Sequence, residues 1–198
     1  MHDFLKNKEF IHQGKTFVIK EAQDTDLDQI VESLNQTYSI WKHLGIQGFN
    51  RDKVKSYMNE DGMLVWSQSD KKFCGALCLR DAQIELIGNI IHVHRATRID
   101  KAKINDPDFY YKKIQNRKIV YGYSLAIFPE FSKTGVGLSF IDFCWQIFKS
   151  KGYEGGLLET AKESDWLIEW YKKLGFKIIA ESSEPRLGVT TVMMMIEL

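Results

Sequence analysis

The stretch that decides the reading runs from Tyr121 to Lys151, YGYSLAIFPEFSKTGVGLSFIDFCWQIFKSK. Tyr121 to Phe128 is rich in aromatic and β-branched residues and predicts a strand. Pro129 has no N–H to give a ladder and ends it. The segment Phe131-Ser132-Lys133-Thr134-Gly135-Val136-Gly137 then turns into a helix. In that helix Leu138, Ile141, Cys144, Trp145 and Phe148 recur at helical spacing on one face. Gly152 marks a stop, with Lys149 and Lys151 in the last turn, where the helix dipole favours cations.

The junction is where chemistry is possible. Gly135 and Gly137 let the backbone approach a bound group, and the first helical turn leaves N–H groups unpaired at the positive end of the dipole. Such donors suit a phosphate or pyrophosphate. A turn glycine followed by a packing glycine explains the same pair. No Gly-x-x-x-x-Gly-Lys-Ser/Thr string occurs, so a P-loop is excluded. A dinucleotide fingerprint needs a third glycine where Phe140 stands.

The whole stretch resembles the coenzyme A motif of the GNAT superfamily of N-acetyltransferases. Ile127-Phe128-Pro129 matches the strand exit, and Ser132-Lys133-Thr134-Gly135-Val136-Gly137 matches the turn, with Ser132 where that family usually has Gln or Arg. Downstream, Leu158-Glu159-Thr160 resembles the next strand. Ser164-Asp165-Trp166-Leu167-Ile168-Glu169-Trp170-Tyr171-Lys172-Lys173-Leu174-Gly175-Phe176 resembles the family's Asn-x-x-Ala-x-x-x-Tyr-x-x-x-Gly-Phe helix and exit. Ser164 replaces the usual Asn, and Leu167 the usual Ala. Two motifs in this order are more specific than either alone. The resemblance is sharp over the last part of the chain and holds in outline elsewhere.

It implies an α+β (α/β) GNAT-like fold. A central mixed, mostly antiparallel sheet of about six to seven strands would be flanked by helices, with an insertion before the fourth core strand. It also implies acyl transfer from acetyl-CoA to an amine by direct attack in a ternary complex, without a metal. The backbone of Leu125, Ala126 and Ile127 would hold the pantetheine arm. Ser132, Lys133, Thr134, Gly135, Val136, Gly137 and Leu138 would hold the pyrophosphate, and Ser164 and Tyr171 also belong to the coenzyme site. Tyr171 matches the position credited as acid to the leaving sulfur, and a phenol is protonated at neutral pH. Glu159 and Tyr123 are the candidate bases, with Glu85 a further one if the insertion folds over the site. Tyr38, Trp41, Tyr121 and Tyr123 are candidates for the acceptor pocket. An alternative is a catalytically degenerate member that binds acyl-CoA or a partner.

The rest of the chain sets limits. Its 198 residues predict one domain, and 44% apolar with 27% charged residues describe an ordinary globular protein. The net charge of +1 exerts no pull toward nucleic acid or membrane. Cys74, Cys78 and Cys144 have no metal spacing and fit a reducing cytoplasm. The start MHDFLKNKEF lacks a signal-peptide run. The expected partners are a small-molecule or peptide amine and, for assembly, a monomer or homodimer.

Thr16 to Lys20 predicts the first strand. A helix capped by Asp24 or Thr25 follows, carrying Leu27, Ile30, Val31, Leu34 and Tyr38. Ser39 to Asn50 predicts a loop with Trp41, His43 and Phe49 near the pocket or capping the core edge. Asp52 to Met58 predicts a short helix, and Met63–Ser67 with Phe73–Leu79 a hairpin turned around Ser69 to Lys72. Residues 81–118 form a long connection, with Ile84 to Val93 strand-like and Pro107 to Gln115 helical. From Arg95 to Lys118 its cations (Arg95, Arg98, Lys101, Lys103, Lys112, Lys113, Arg117, Lys118) outnumber its carboxylates (Asp100, Asp106, Asp108). The 81–118 insertion is a basic lid attracting an anionic acceptor or the coenzyme phosphates, or a solvated insertion. His92 and His94 share a strand face, but no third ligand is evident. Gly156–Thr160, Asp165–Leu174, Phe176–Ala180 and Val189–Leu198 predict strand, helix and a closing pair. Met193, Met194 and Met195 read as core filler.

Overall fold

Alternation along one strand shows how the sheet is covered. In β3 (Met63–Gln68) the residues Met63 and Val65 join one apolar cluster, while Trp66, next in the alternation, stacks on Phe140. Side chains two apart share a face, so this strand is buried on both sides. The computed structural model describes residues 5–39, 48–60, 63–68, 73–82, 84–87, 90–93, 97–100, 114, 117–182 and 190–198.

The remaining strands are β1 (Glu9–His12), β2 (Lys15–Glu21), β4 (Phe73–Asp81), β5 (Ile84–Ile87), β6 (Ile90–Val93), β7 (Thr97–Asp100), β8 (Ile119–Ile127), β9 (Gly155–Ala161), β10 (Lys177–Ser182) and β11 (Thr191–Glu197). The helices are α1 (Leu27–Thr37), α2 (Arg51–Glu60), α3 (Val136–Ser150) and α4 (Asp165–Lys173). Short 3-10 turns lie at Asp24–Asp26 and Pro129–Phe131. The fold class is α+β. Among the described residues no helix is long and apolar enough to cross a membrane.

The chain divides into two compact units, one of Met1–Arg80 with Gly122–Ile147, the other of Asp81–Tyr121 with Phe148–Leu198. The first has strand order β1-β2-β3-β4-β8, and the pairs from β1 to β4 are antiparallel. The second has order β8-β9-β11-β10, with β11 antiparallel to both neighbours, and a separate antiparallel sheet β5-β6-β7. Strand β8 contributes to both, so the ladder counted through it has eight strands.

In the first unit, α1 and α2 cover one face through Leu27, Ile30, Leu34 and Val54, all buried against Met63, Val65, Ala76 and Cys78. The other face receives α3. Phe140, at the position where a dinucleotide fold needs glycine, stacks on Trp66 with centroids 3.8 Å apart, and Phe10 of β1 touches Phe140 at 5.8 Å. Helix α1 begins where Asp26, rather than Asp24 or Thr25, turns its carboxylate back. It accepts the Gln23 N–H at 2.9 Å and a bond from Lys20 Nζ at 2.9 Å.

Two expectations change. The first strand is preceded by β1, paired Phe10 to Phe17 across a two-residue turn at Gln13–Gly14. The run Ile84 to Val93 is two strands, with Ile87 paired to Ile90. In the second unit, Met193, Met194 and Met195 are buried in β11 as core. The turns expected at 69–72 and 184–188, His94, the histidine and tryptophan of the loop at 40–47, and 101–113 of the insertion lie outside the described residues.

Gly75 in β4 sits close against the backbone of β8. A Cβ there would meet the Ala126 carbonyl and lie 2.5 and 2.6 Å from Trp66 ring carbons. No rotamer relieves a backbone contact, so the site overpacks. Gly75→Ala is expected to lower unfolding free energy by about 1–3 kcal/mol in urea denaturation. An unchanged midpoint would refute this account of the strand pair.

Candidate active site

The turn after β8 is built in the first unit. The Phe131 N–H returns to the Phe128 carbonyl at 2.9 Å, and the Thr134 hydroxyl donates to the Phe131 carbonyl at 2.6 Å. Lys133 (φ 65°) and Gly135 (φ 85°) are both in the left-handed region. Glycine takes that conformation without the cost a Cβ imposes, and Lys133 bears it. The first helical bond of α3 runs from the Ser139 N–H to the Gly135 carbonyl at 3.2 Å. The N–H groups before it, those of Gly137 and Leu138 among them, have no partner within the helix. The Val136 N–H reaches the Thr134 hydroxyl at 3.4 Å. Ser132, Lys133 and Thr134 are exposed, Gly135 and Leu138 half-buried, Val136 and Gly137 buried.

Upstream, Ser124 lies inside β8 at φ 52°. Its left-handed φ departs from extended backbone in the middle of the run expected to place Tyr121, Tyr123, Leu125 and Ile127 on one face. Beyond it Ala126 is fully buried, and Leu125 and Ile127 are half-buried. The Ile127 carbonyl accepts a bond from Thr37 Oγ1 at 3.3 Å, and the Phe128 N–H donates to the Cys74 carbonyl at 2.9 Å.

The aromatic candidates of the first unit gather under α1 and α2. Tyr123 meets Tyr57 edge-on at 5.5 Å, and the Arg80 guanidinium lies 4.6 Å from the Tyr123 centroid. Tyr38 packs on Phe49 at 5.2 Å. Phe49 is buried, its backbone held at both ends by the Asn35 amide at 2.8 Å, so it is part of the core. Burial pushes the Tyr38 phenol up, with smaller contributions from Cys78 and Tyr57, so it stays protonated and cannot serve as a base. Trp41 lies outside the described residues.

In the second unit Tyr121 is buried in β8. Tyr171 is buried on the face of α4 shared with Ile168, its ring edge-on to Trp170 at 5.0 Å and Phe176 at 5.7 Å. The Phe176 N–H returns to the Tyr171 carbonyl at 3.1 Å, which closes the helix past Gly175. Ser164 is buried at the N-cap of α4 and makes no side-chain cap bond. Glu159, half-buried in β9, is paired with Met193 and accepts a hydrogen bond from the Thr191 hydroxyl. Glu85 is in β5, opposite His92. Among the described residues no group of metal-binding side chains occurs.

No protein-family model matches the sequence, and no curated protein matches it either. Solved structures do. A GNAT-family acetyltransferase from Listeria monocytogenes superposes with TM-score 0.63 at 14% identity, over 96% of this chain and 100% of that one. The chain has the GNAT fold. A spermidine N-acetyltransferase from Vibrio cholerae, in complex with CoA and spermine, gives TM-score 0.58 at 14% identity over 91% of this chain and 95% of that one. The ribosomal-protein-S18-alanine N-acetyltransferase of Escherichia coli gives 0.59 at 12% identity over 91% and 93%.

Besides β1 itself and the split of Ile84 to Val93, sequence reasoning missed the left-handed Ser124, the close approach at Gly75 and the contacts of His12. Of the last three, Gly75 alone had a local signal, since a glycine inside a strand pattern marks close backbone approach.

The three cysteines are free and buried, and burial pushes the Cys144 thiol well up. None is disposed to act as a nucleophile. A native thiol titration at pH 8 should label none of them, and denaturant should release all three. Rapid labelling of a native cysteine would overturn this and admit a covalent acyl-cysteine intermediate.

Proposed function

We propose that this protein transfers an acetyl or other short acyl group from its coenzyme A thioester to an amine, by direct attack in a ternary complex. The observation that carries the reading is the turn from Ser132 to Leu138. Left-handed Lys133 and Gly135 lead into a 15-residue helix whose first N–H groups have no helical partner. A pyrophosphate fits such an N-terminus by charge and by hydrogen bonding. Ser132 supplies no charge there, so Lys133 is the nearest cation of the turn. The backbone of Leu125, Ala126 and Ile127 is assigned to the pantetheine arm, directly after the left-handed Ser124.

The amine must lose a proton, and the departing sulfur must gain one. We assign Tyr171 as the acid and Glu159 or Tyr123 as the base. Glu159 is the better base by chemistry, because a phenol accepts a proton only once ionised. The acceptor is an amine, and Tyr38 and Tyr123 are its proposed contacts together with Trp41 and Tyr121. The Vibrio cholerae relative, solved with CoA and spermine, supports coenzyme A use and a small amine acceptor.

Calorimetric titration with acetyl-CoA tests the reading. Wild type should bind at micromolar strength, while Gly135→Glu, which sets an anion in the turn and forces a side chain to φ 85°, should not. Absence of binding by wild type to both acetyl-CoA and CoA would end the coenzyme reading. A thiol-release screen over amines then separates an enzyme from a module that only binds acyl-CoA.

With an active amine in hand, Tyr171→Phe should lower kcat about 100-fold and leave KM for acetyl-CoA within about twofold. An unchanged kcat would return Tyr171 to the core.

A further inference from the structure

The β1–β2 hairpin reaches the coenzyme turn from behind. His12, the last residue of β1, places Nε2 at 2.9 Å from the Thr134 carbonyl and Nδ1 at 2.8 Å from Ser139 Oγ. Gln13 Nε2 donates to the same carbonyl at 3.3 Å. All of these residues lie in the first unit. A carbonyl only accepts, so Nε2 bears the proton, and in the neutral ring Nδ1 accepts a hydrogen bond donated by the Ser139 hydroxyl. The imidazole therefore ties one point of the turn to one point of α3. Its Cε1 stands 3.4 Å from where a Gly135 Cβ would be, so the ring lies against the glycine itself.

A trans peptide is planar, and its C=O and N–H point in opposite directions. Holding the Thr134 carbonyl toward His12 therefore aims the Gly135 N–H away from the hairpin. Two donors on that carbonyl also polarise the peptide and strengthen the N–H as a donor. We propose that His12 is a positioning residue for the acyl donor, orienting the Thr134–Gly135 peptide so that the Gly135 N–H meets the pyrophosphate. This rests on the coenzyme reading above. His12 touches neither coenzyme nor acceptor and takes no part in proton transfer.

Two isopolar substitutions separate its two bonds. In His12→Gln the amide nitrogen reaches about as far as Nε2 and keeps the bond to Thr134. In His12→Asn it reaches only about as far as Nδ1 and keeps the contact with Ser139. Calorimetry with CoA, and competition with pantetheine, which lacks the pyrophosphate, give the readout. His12→Gln should bind CoA within about threefold of wild type. His12→Asn should bind it about tenfold more weakly, the loss expected for one hydrogen bond to a charged group. Pantetheine should bind all three proteins alike. Equal CoA affinities for the two variants would overturn the proposal, as would a parallel loss for CoA and pantetheine, which marks a general disturbance of the fold. Failure of wild type to bind CoA is a different result, and it removes the coenzyme reading together with this role.

Discussion

The stack of Phe140 on Trp66 is the contact on which the first unit depends. It costs something: the Trp66 indole N–H is buried with no hydrogen-bond partner among the described residues. An unmet donor of that kind costs about 1–3 kcal/mol. Burying the Phe140 ring contributes about 1.5–3 kcal/mol, and the pairing of two aromatic rings on the order of 0.5–1.5 more. The apolar area of the indole adds to that side, so the stack wins. Its geometry then sets where α3 crosses the strands, and hence where the turn before α3 can lie. Phe10 meets Phe140 and Phe143 at 5.8 Å each, so the same contact brings β1 in and places His12 beside Thr134. One aromatic layer thus fixes both the helix start and the side chain that holds it from outside.

What could be read in the sequence was what is written locally. The strand-turn-helix of 121–151 was legible because Pro129, Gly135 and the apolar period act within a few residues of each other. Helix α4 and its end at Gly175 were legible for the same reason. The β1–β2 hairpin was not, because Gln13-Gly14 is a weaker turn signal than Asn-Gly or Asp-Gly. The Gly88-Asn89 dipeptide, by contrast, was a usable signal that Ile84 to Val93 is two strands. Ser124 gave no sign, since a serine at positive φ looks like any other serine. His12 could not be found at all: its partners lie more than a hundred residues away, and a lone histidine in a strand predicts nothing about them.

The fold and the acceptor belong to different levels of the chain. Proteins with this fold are described as acting on spermidine and on an S18 alanine, at 14% and 12% identity to this chain. A backbone shared at that distance preserves strand order and a glycine turn, which are met by many sequences. It does not preserve the side chains that choose an amine. Under the proposed function those choices in this chain would rest on local packing: Tyr57 edge-on to Tyr123, Arg80 over the same ring, and Tyr38 against Phe49. Arg80 is nine-tenths buried, and a guanidinium is the cation best suited to lie on an aromatic face.

The exchange of the usual Gln or Arg for Ser132 has a structural counterpart under the coenzyme reading. A long polar side chain at that position would add one contact to the pyrophosphate, at the entropic cost of ordering a flexible group. The backbone donors carry no such cost if the turn is already rigid. Here rigidity comes from the far side, through the Thr134 hydroxyl on Phe131 and the His12 and Gln13 bonds to the Thr134 carbonyl. Preorganised donors lose less on binding than recruited ones. Support behind the turn can therefore offset a side chain missing in front of it, and a motif read only along the sequence counts the loss without seeing the compensation.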